Sequence, residues 1–153
     1  MPSIPRLPQY RLILLPIDGS LAARHAATHA AALANALGAT VAILAVMDTG
    51  GTLAFTPEAT ARYARLRTEA QAAIEEASKI MGGAGIPLVE HLIMDGVPAT
   101  MIVETAAEVG ADLIVLSVVR GGGGNMLDEI AAQVLHDSSC PVLFVTPPTG
   151  NTP

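Results

Sequence analysis

Asp112-Leu113-Ile114-Val115-Leu116-Ser117 runs through Val118-Val119-Arg120 into Gly121-Gly122-Gly123-Gly124. A short, unbroken apolar run that ends in a glycine-rich stretch reads as a strand buried on both faces, as in a parallel sheet. In open α/β sheets, ligands bind beyond the carboxyl ends of the strands. Loop amides or a helix N-terminus at that edge can hold a phosphate. This places Leu116, Ser117, Arg120, Gly121 and Gly124 at a candidate ligand edge.

The same grammar repeats outward. Leu12 to Ile17 is a second apolar run, ending in Pro16-Ile17-Asp18-Gly19-Ser20. Ser20 is a good N-cap for an Ala-rich helix that Gly38 closes after Leu37. Val41 to Val46 reads as the second strand and Met47 to Phe55 as a loop, a candidate lid over the ligand edge or a plain connection. Pro57 suits a first helical turn, and the long helical pattern from Glu58 to Met81 meets Gly82 and Gly83. Leu88 to Met94 is the third strand. Asp95-Gly96-Val97-Pro98 reads as a turn into a helix reaching Val109 and stopped by Gly110. Asp112 to Ser117 is the fourth strand, Met126 to His136 a short helix, and Cys140 to Thr146 the fifth strand. Strands alternating with helices imply parallel pairing through right-handed crossovers. The expectation is α/β: an open, doubly wound, five-stranded parallel sheet with helices on both faces. One domain spans 10–147, between a leader (1–9) and a polar tail (148–153).

Composition narrows the function classes. The chain has 153 residues, enough for one sizeable core, with 51% hydrophobic residues, 3% aromatic and no Trp. Such a core is built from Ala, Leu, Ile, Val and Met. Eight Lys and Arg stand against 14 Asp and Glu, a net charge of −6, which disfavours nucleic acid. Arg62, Arg65 and Arg67 lie among Glu58, Glu69, Glu75 and Glu76 and read as a solvated helix face. No segment has the ~18 apolar residues of a membrane span. Met1 to Gln9 lacks the apolar run of a secretory signal. Cys140 is the single cysteine, so no internal disulfide forms, which suits a reducing compartment. The expected location is the cytoplasm.

Four stretches together resemble the universal stress protein family: Pro16-Ile17-Asp18-Gly19-Ser20; Gly96-Val97-Pro98-Ala99 with Ile102; Gly110-Ala111-Asp112-Leu113-Ile114-Val115-Leu116; and Cys140-Pro141-Val142-Leu143. The resemblance covers about Arg11 to Thr146. It implies sheet order 3-2-1-4-5 and a homodimer, often formed through the last strand, here Val142 to Val145. It also implies a choice between two branches, one binding ATP through G-x2-G-x9-G-[ST] and one lacking that motif. In the binding branch the Pro and Asp of the first signature and a Val ending the second strand line the pocket. The matching positions are Pro16, Asp18 and Val46, all with the family residue.

The phosphate side departs from the pattern. The motif's first two glycines match Ser117 and Arg120, and its closing Gly-[ST] matches Asp128-Glu129, with a loop two residues shorter than usual. Gly121 and Gly124 keep the G-x2-G spacing, but the positions that follow the gap are Val134 and Leu135, inside the last helix. Asp128 and Glu129 fall in that helix's first turn and already supply the negative charge its N-terminus favours. A phosphate about 4 Å away meets roughly 1–4 kcal/mol of repulsion, and each 1.4 kcal/mol costs about tenfold in affinity. Three features offset this: Mg²⁺ bridging the carboxylates to a polyphosphate, a backbone nest at Gly121 to Gly124 for a smaller anion, and the charge of Arg120.

No catalytic constellation emerges. Asp18 either lines the ligand edge or caps the turn before the first helix. His25 and His29, spaced i,i+4, lack a third ligand and read as helix-surface or dimer-face residues. Cys140 lies four residues after His136, within reach of a base, yet reads as a structural thiol. Ser20 lacks the G-x-S-x-G setting of a nucleophile elbow. The expectation is a non-enzymatic, regulatory homodimer acting through partner proteins, with a partly dismantled nucleotide site and no resident metal. One alternative is an adenine-nucleotide binder, for AMP more than for ATP with Mg²⁺. The other is a weak ATPase or nucleotide-dependent enzyme on the same scaffold.

Overall fold

The computed structural model describes residues 3–51, 55–119 and 128–147. Nine elements alternate along the chain: β1 (Leu12–Ile17), α1 (Leu21–Leu37), β2 (Thr40–Asp48), α2 (Pro57–Gly83), β3 (Leu88–Gly96), α3 (Pro98–Val109), β4 (Leu113–Ser117), α4 (Glu129–Asp137) and β5 (Val142–Val145). The strands form one sheet in the order β3-β2-β1-β4-β5, with every pairing parallel. The expected five-stranded α/β sheet is what forms.

Strand side chains alternate between two buried faces. Ile13, Leu15 and Ile17 of β1 join Val41, Ile43 and Ala45 of β2 and Val115 of β4 in one core layer under α1 and α2. Leu14, Ala42, Leu44, Ile114 and Leu116 point the other way, toward Ala99, Ile102 and Ala106 of α3 and Ala131 and Val134 of α4. The shortage of aromatic residues has a direct packing consequence. Ala26, Ala27 and Ala30 of α1 are fully buried, because a methyl-only face lets the helix approach the sheet closely.

Local chemistry sets most helix ends. Ser20 Oγ accepts from the Ala23 amide at 3.0 Å, and Thr56 caps α2 ahead of Pro57. Three helices stop in Schellman turns, where a glycine takes a left-handed φ that side chains resist. Gly38 and Gly110 do this for α1 and α3, as expected.

The end of α2 differs from expectation. Gly82 and Gly83 remain helical, and Gly85 (φ +71°) makes the turn. The Ile86 amide reaches back to the Met81 carbonyl at 3.0 Å, and both side chains are buried, so packing of Met81 and Ile86 selects the stop.

Other boundaries move for long-range reasons. β2 continues to Asp48 and β3 to Gly96, because Met47 pairs with Asp95 and Asp48 with Gly96. Met47 and Asp48 therefore do not begin a loop, and Asp95-Gly96 is strand rather than turn. Gly96 is required there: its φ is +147°, and an added Cβ would lie 3.0 Å from Met101 Cγ. Asp112 precedes β4 rather than starting it. Its Oδ2 accepts from the amides of Arg11 (2.8 Å) and Leu12 (3.0 Å), joining the entrance of β4 to that of β1. The last helix starts at Glu129, and Met126 and Leu127 lie outside the described residues. β5 is shorter than expected, confined to Val142–Val145.

On the helical surface, Arg62, Arg65 and Arg67 are exposed, and the Arg24–Glu76 ion pair bridges α1 and α2. Such exposed pairs contribute at most about 1 kcal/mol. Among the described residues, no helix is long and apolar enough to cross a membrane.

Candidate functional site

The chain leaves β1 toward β2 and β3 on one side and returns to β4 and β5 on the other. The crevice between β1 and β4 is therefore the topological switch point, where open α/β sheets collect ligands. A cavity of about 290 Å³ opens there. Pro16, Ile17 and Asp18 line it from the end of β1, and Leu44, Val46 and Asp48 from β2. Leu116, Ser117 and Val119 line it from the end of β4. Pro98 and Ile102 close it from the start of α3, and Asp128 and Ile130 from the start of α4.

Its polar edge is acidic. Asp18 Oδ1 accepts from the Ser20 amide at 2.9 Å, so this carboxylate caps the sharp turn and lines the cavity together; the two sequence readings of Asp18 coexist. Asp48 Oδ1 accepts from the Gly50 amide at 3.3 Å. Asp128 is the N-cap of α4: Oδ1 accepts from the Ala131 amide at 2.8 Å and Oδ2 from the Val119 amide at 3.3 Å. It thus ties the exit of β4 to the entrance of α4. Among the described lining residues there is no Lys, Arg or His. Arg62 instead donates to the Asp48 carbonyl at 3.0 Å.

Six of the candidate residues therefore come together: Pro16, Asp18, Val46, Leu116, Ser117 and Asp128. Glu129 is the first residue of α4 and does not line the cavity. Arg120, Gly121 and Gly124 lie outside the described residues. Sequence reasoning passed over Leu44 and Asp48, although both share a strand face with Val46 by the two-residue period. It also passed over Pro98 and Ile102, which sit i,i+4 on α3 and so face one direction.

The remaining candidates resolve simply. The His25 and His29 rings meet edge-on at 4.8 Å, and no group of three or more potential metal ligands occurs among the described residues. His136 bonds to Asp137 at 2.7 Å. That bond, with one from Gln133, holds the Asp137 carboxyl below its usual range. The Cys140 thiol instead lies 3.7 Å from Ser138 Oγ.

Comparison with known proteins agrees with this fold. The sequence model of the universal stress protein family matches residues 9–146. A universal stress protein of Methanocaldococcus jannaschii is 32% identical over 143 residues, covering 91% of this chain and 84% of that protein. One from Thermus aquaticus is 32% identical over 142 residues, covering 89% and 98%. Among solved structures, the universal stress protein UspA of Lactobacillus plantarum superposes with a TM-score of 0.76 at 25% identity, covering 91% and 99%. Two further neighbours were solved with ligands. One is a universal stress protein in complex with cAMP (TM-score 0.67, 26% identity, covering 91% and 98%). The other is the Archaeoglobus fulgidus universal stress protein in complex with dAMP (TM-score 0.65, 25% identity, covering 89% and 98%). From its strand order, its signature turns and these relatives together, the chain belongs to the universal stress protein family.

Proposed function

We propose that this chain is a non-enzymatic, cytoplasmic regulator that holds a small adenine-based ligand, a nucleoside or its monophosphate, and works as a homodimer through partner proteins. The observation that carries the ligand assignment is the switch-point cavity. Its aliphatic walls suit a planar base, its carboxylates suit hydroxyl donors, and related proteins of this fold bind cAMP and dAMP. Its size, about 290 Å³, is at the small end of ligand sites, roughly 300–1,000 Å³. A regulatory role is favoured over an enzymatic one because the three lining carboxylates, Asp18, Asp48 and Asp128, each hold a backbone amide of their own chain. The hydroxyl of Ser20 is engaged as a helix cap. The lone cysteine supports the cytoplasmic setting.

Thermal unfolding in the presence of adenosine and of AMP tests the ligand assignment. At a hundredfold excess over Kd a ligand stabilises by about 2.7 kcal/mol, which raises Tm by about 5–10 °C in a chain of this size. Neither compound shifting Tm at millimolar concentration would sink the ligand assignment. Steady release of phosphate from ATP would sink the non-enzymatic one.

The homodimer reading rests on β5. It pairs with β4 along one edge, carries Leu143 exposed beside half-buried Phe144, and lies at the end of the sheet. An edge strand of that kind invites a partner strand. Leu143→Lys is expected to convert a dimer to a monomer in light scattering at micromolar concentration. A monomeric parent, or a variant that stays dimeric, overturns β5 as the interface.

A further inference from the structure

We infer that His25 and His29 of α1 chelate a divalent transition-metal ion of the nickel and zinc class. Neither residue lines the switch-point cavity, so this is a second site, independent of the adenine-ligand reading.

The spacing of the two rings carries the argument. Residues four apart on a helix lie on one face, with Cβ atoms about 5–6 Å apart. The two imidazole centroids stand 4.8 Å apart. Two imidazoles sharing an ion at about 2.0–2.1 Å, across a right or tetrahedral angle, have centroids roughly 4.5–5.2 Å apart. The rings therefore already hold a chelate spacing. They meet edge to face, with 75° between their planes. Turning both ring nitrogens onto one point takes rotation about χ2, a soft torsion in histidine, and this leaves the centroids nearly in place.

The support beneath the pair is rigid. Ser20 caps α1 and Gly38 closes it, and Ala23, Ala26, Ala27 and Ala30 bind it to the sheet. The chelate spacing is thus organised before any ion arrives, and it exists only in the folded chain. Leu21, Ala22, Ala32 and Leu33, one turn away on the same side, carry no charge that would repel a cation, and Arg24 is paired with Glu76 of α2. The other two histidines are engaged, His91 with Ser78 at 3.0 Å and His136 with Asp137 at 2.7 Å. The contact of His25 and His29 is with each other.

Ligand chemistry sets the class of ion. Imidazole nitrogen suits zinc, nickel and copper, whereas magnesium and calcium take oxygen ligands. No third protein ligand joins the pair among the described residues. His25 is half-buried and His29 exposed, so water can fill the remaining positions and the ion is exchangeable. The net charge of −6 favours the approach of a cation.

Isothermal titration calorimetry and thermal unfolding test the inference on the untagged full chain, with zinc chloride and nickel chloride as probes and magnesium chloride as the control. The variants are His25→Gln and His29→Gln, which each remove one ligand and put a good helix former in its place. The parent is expected to bind one zinc or nickel ion per chain. Its Tm should rise by about 5–10 °C at a hundredfold excess over Kd, because the pair is assembled only in the folded state. Each variant is expected to bind about tenfold or more weakly, since the second imidazole acts at high effective concentration. No heat and no Tm shift with either metal at millimolar concentration overturns the inference. Magnesium binding as tightly as zinc overturns it as well, and so does either variant keeping the parent's affinity, because the ion then sits on other groups.

Discussion

Leu14→Ala is expected to destabilise the protein by about 2–5 kcal/mol, the range for emptying a fully buried leucine site. Leu14 is completely inaccessible. It sits at the middle of the sheet, since β1 has β2 on one side and β4 on the other, and pairs with Ala42 and Ile114. The neighbours that would have to collapse into the cavity belong to β2 and β4, paired on either side of β1, and to α3 and α4 across one face, so relaxation is poor. Small domains are stable by only about 5–15 kcal/mol, and the loss should lower Tm by roughly 4–20 °C. Leu14 shares its core layer with Leu44, Ile102 and Leu116, three residues that line the cavity. The same variant should therefore weaken ligand binding. Urea denaturation with an unchanged m-value and a lower midpoint is the expected signature; a stability within about 1 kcal/mol of the parent would show that the layer repacks freely.

Thr105→Val is expected to act in the opposite direction and to stabilise by about 1–3 kcal/mol. Thr105 lies on the buried face of α3, 2% exposed, and its Oγ1 finds no hydrogen-bond partner among the described residues. A buried hydroxyl without a partner costs about 1–3 kcal/mol. Valine has nearly the same shape and the same stiff β-branch, so the methyl replaces the hydroxyl with little change in packing. Tm should rise by roughly 2–12 °C. A fall in Tm would reveal that the hydroxyl is bonded, for example back to a carbonyl of its own helix.

These opposite signs come from the same layer, where α3 and α4 cover one side of the sheet. That layer supports the cavity, and the acidic rim is built on it. A substitution there can weaken ligand binding simply by loosening the support, with every group at the rim intact. Stability and affinity should therefore be measured together for any variant in this layer.

Much of the architecture was legible from residue order alone, because the signals are local. Runs such as Leu12 to Ile17 are too short for a helix and apolar throughout, which two-faced burial demands. Ser20, Gly38, Pro57 and Gly110 mark helix ends through bonds spanning a few residues. The alternation of strands and helices dictated a parallel sheet, and resemblance to the family supplied its order. Asp18 was legible as a residue at the ligand edge because it ends a strand whose direction the pattern already fixes, and resemblance to the family pointed to Pro16 beside it.

What only the tertiary structure decided depends on partners far apart in the chain. Asp112 could not be separated from its strand until its carboxylate met the amides of Arg11 and Leu12, about a hundred residues away. Asp95-Gly96 looked like a turn until Met47 and Asp48 paired with it, and Gly85 rather than Gly82 ends α2 because Met81 and Ile86 are drawn into one core. Asp48, Pro98 and Ile102 became site residues only when β2 and α3 were placed beside β1 and β4. Asp128 shows the division most clearly. Its charge and its place near a helix start are written in the sequence, but its grip on Val119 exists only because folding brings the end of a strand against the start of a helix, and no pattern of residue types encodes that distance.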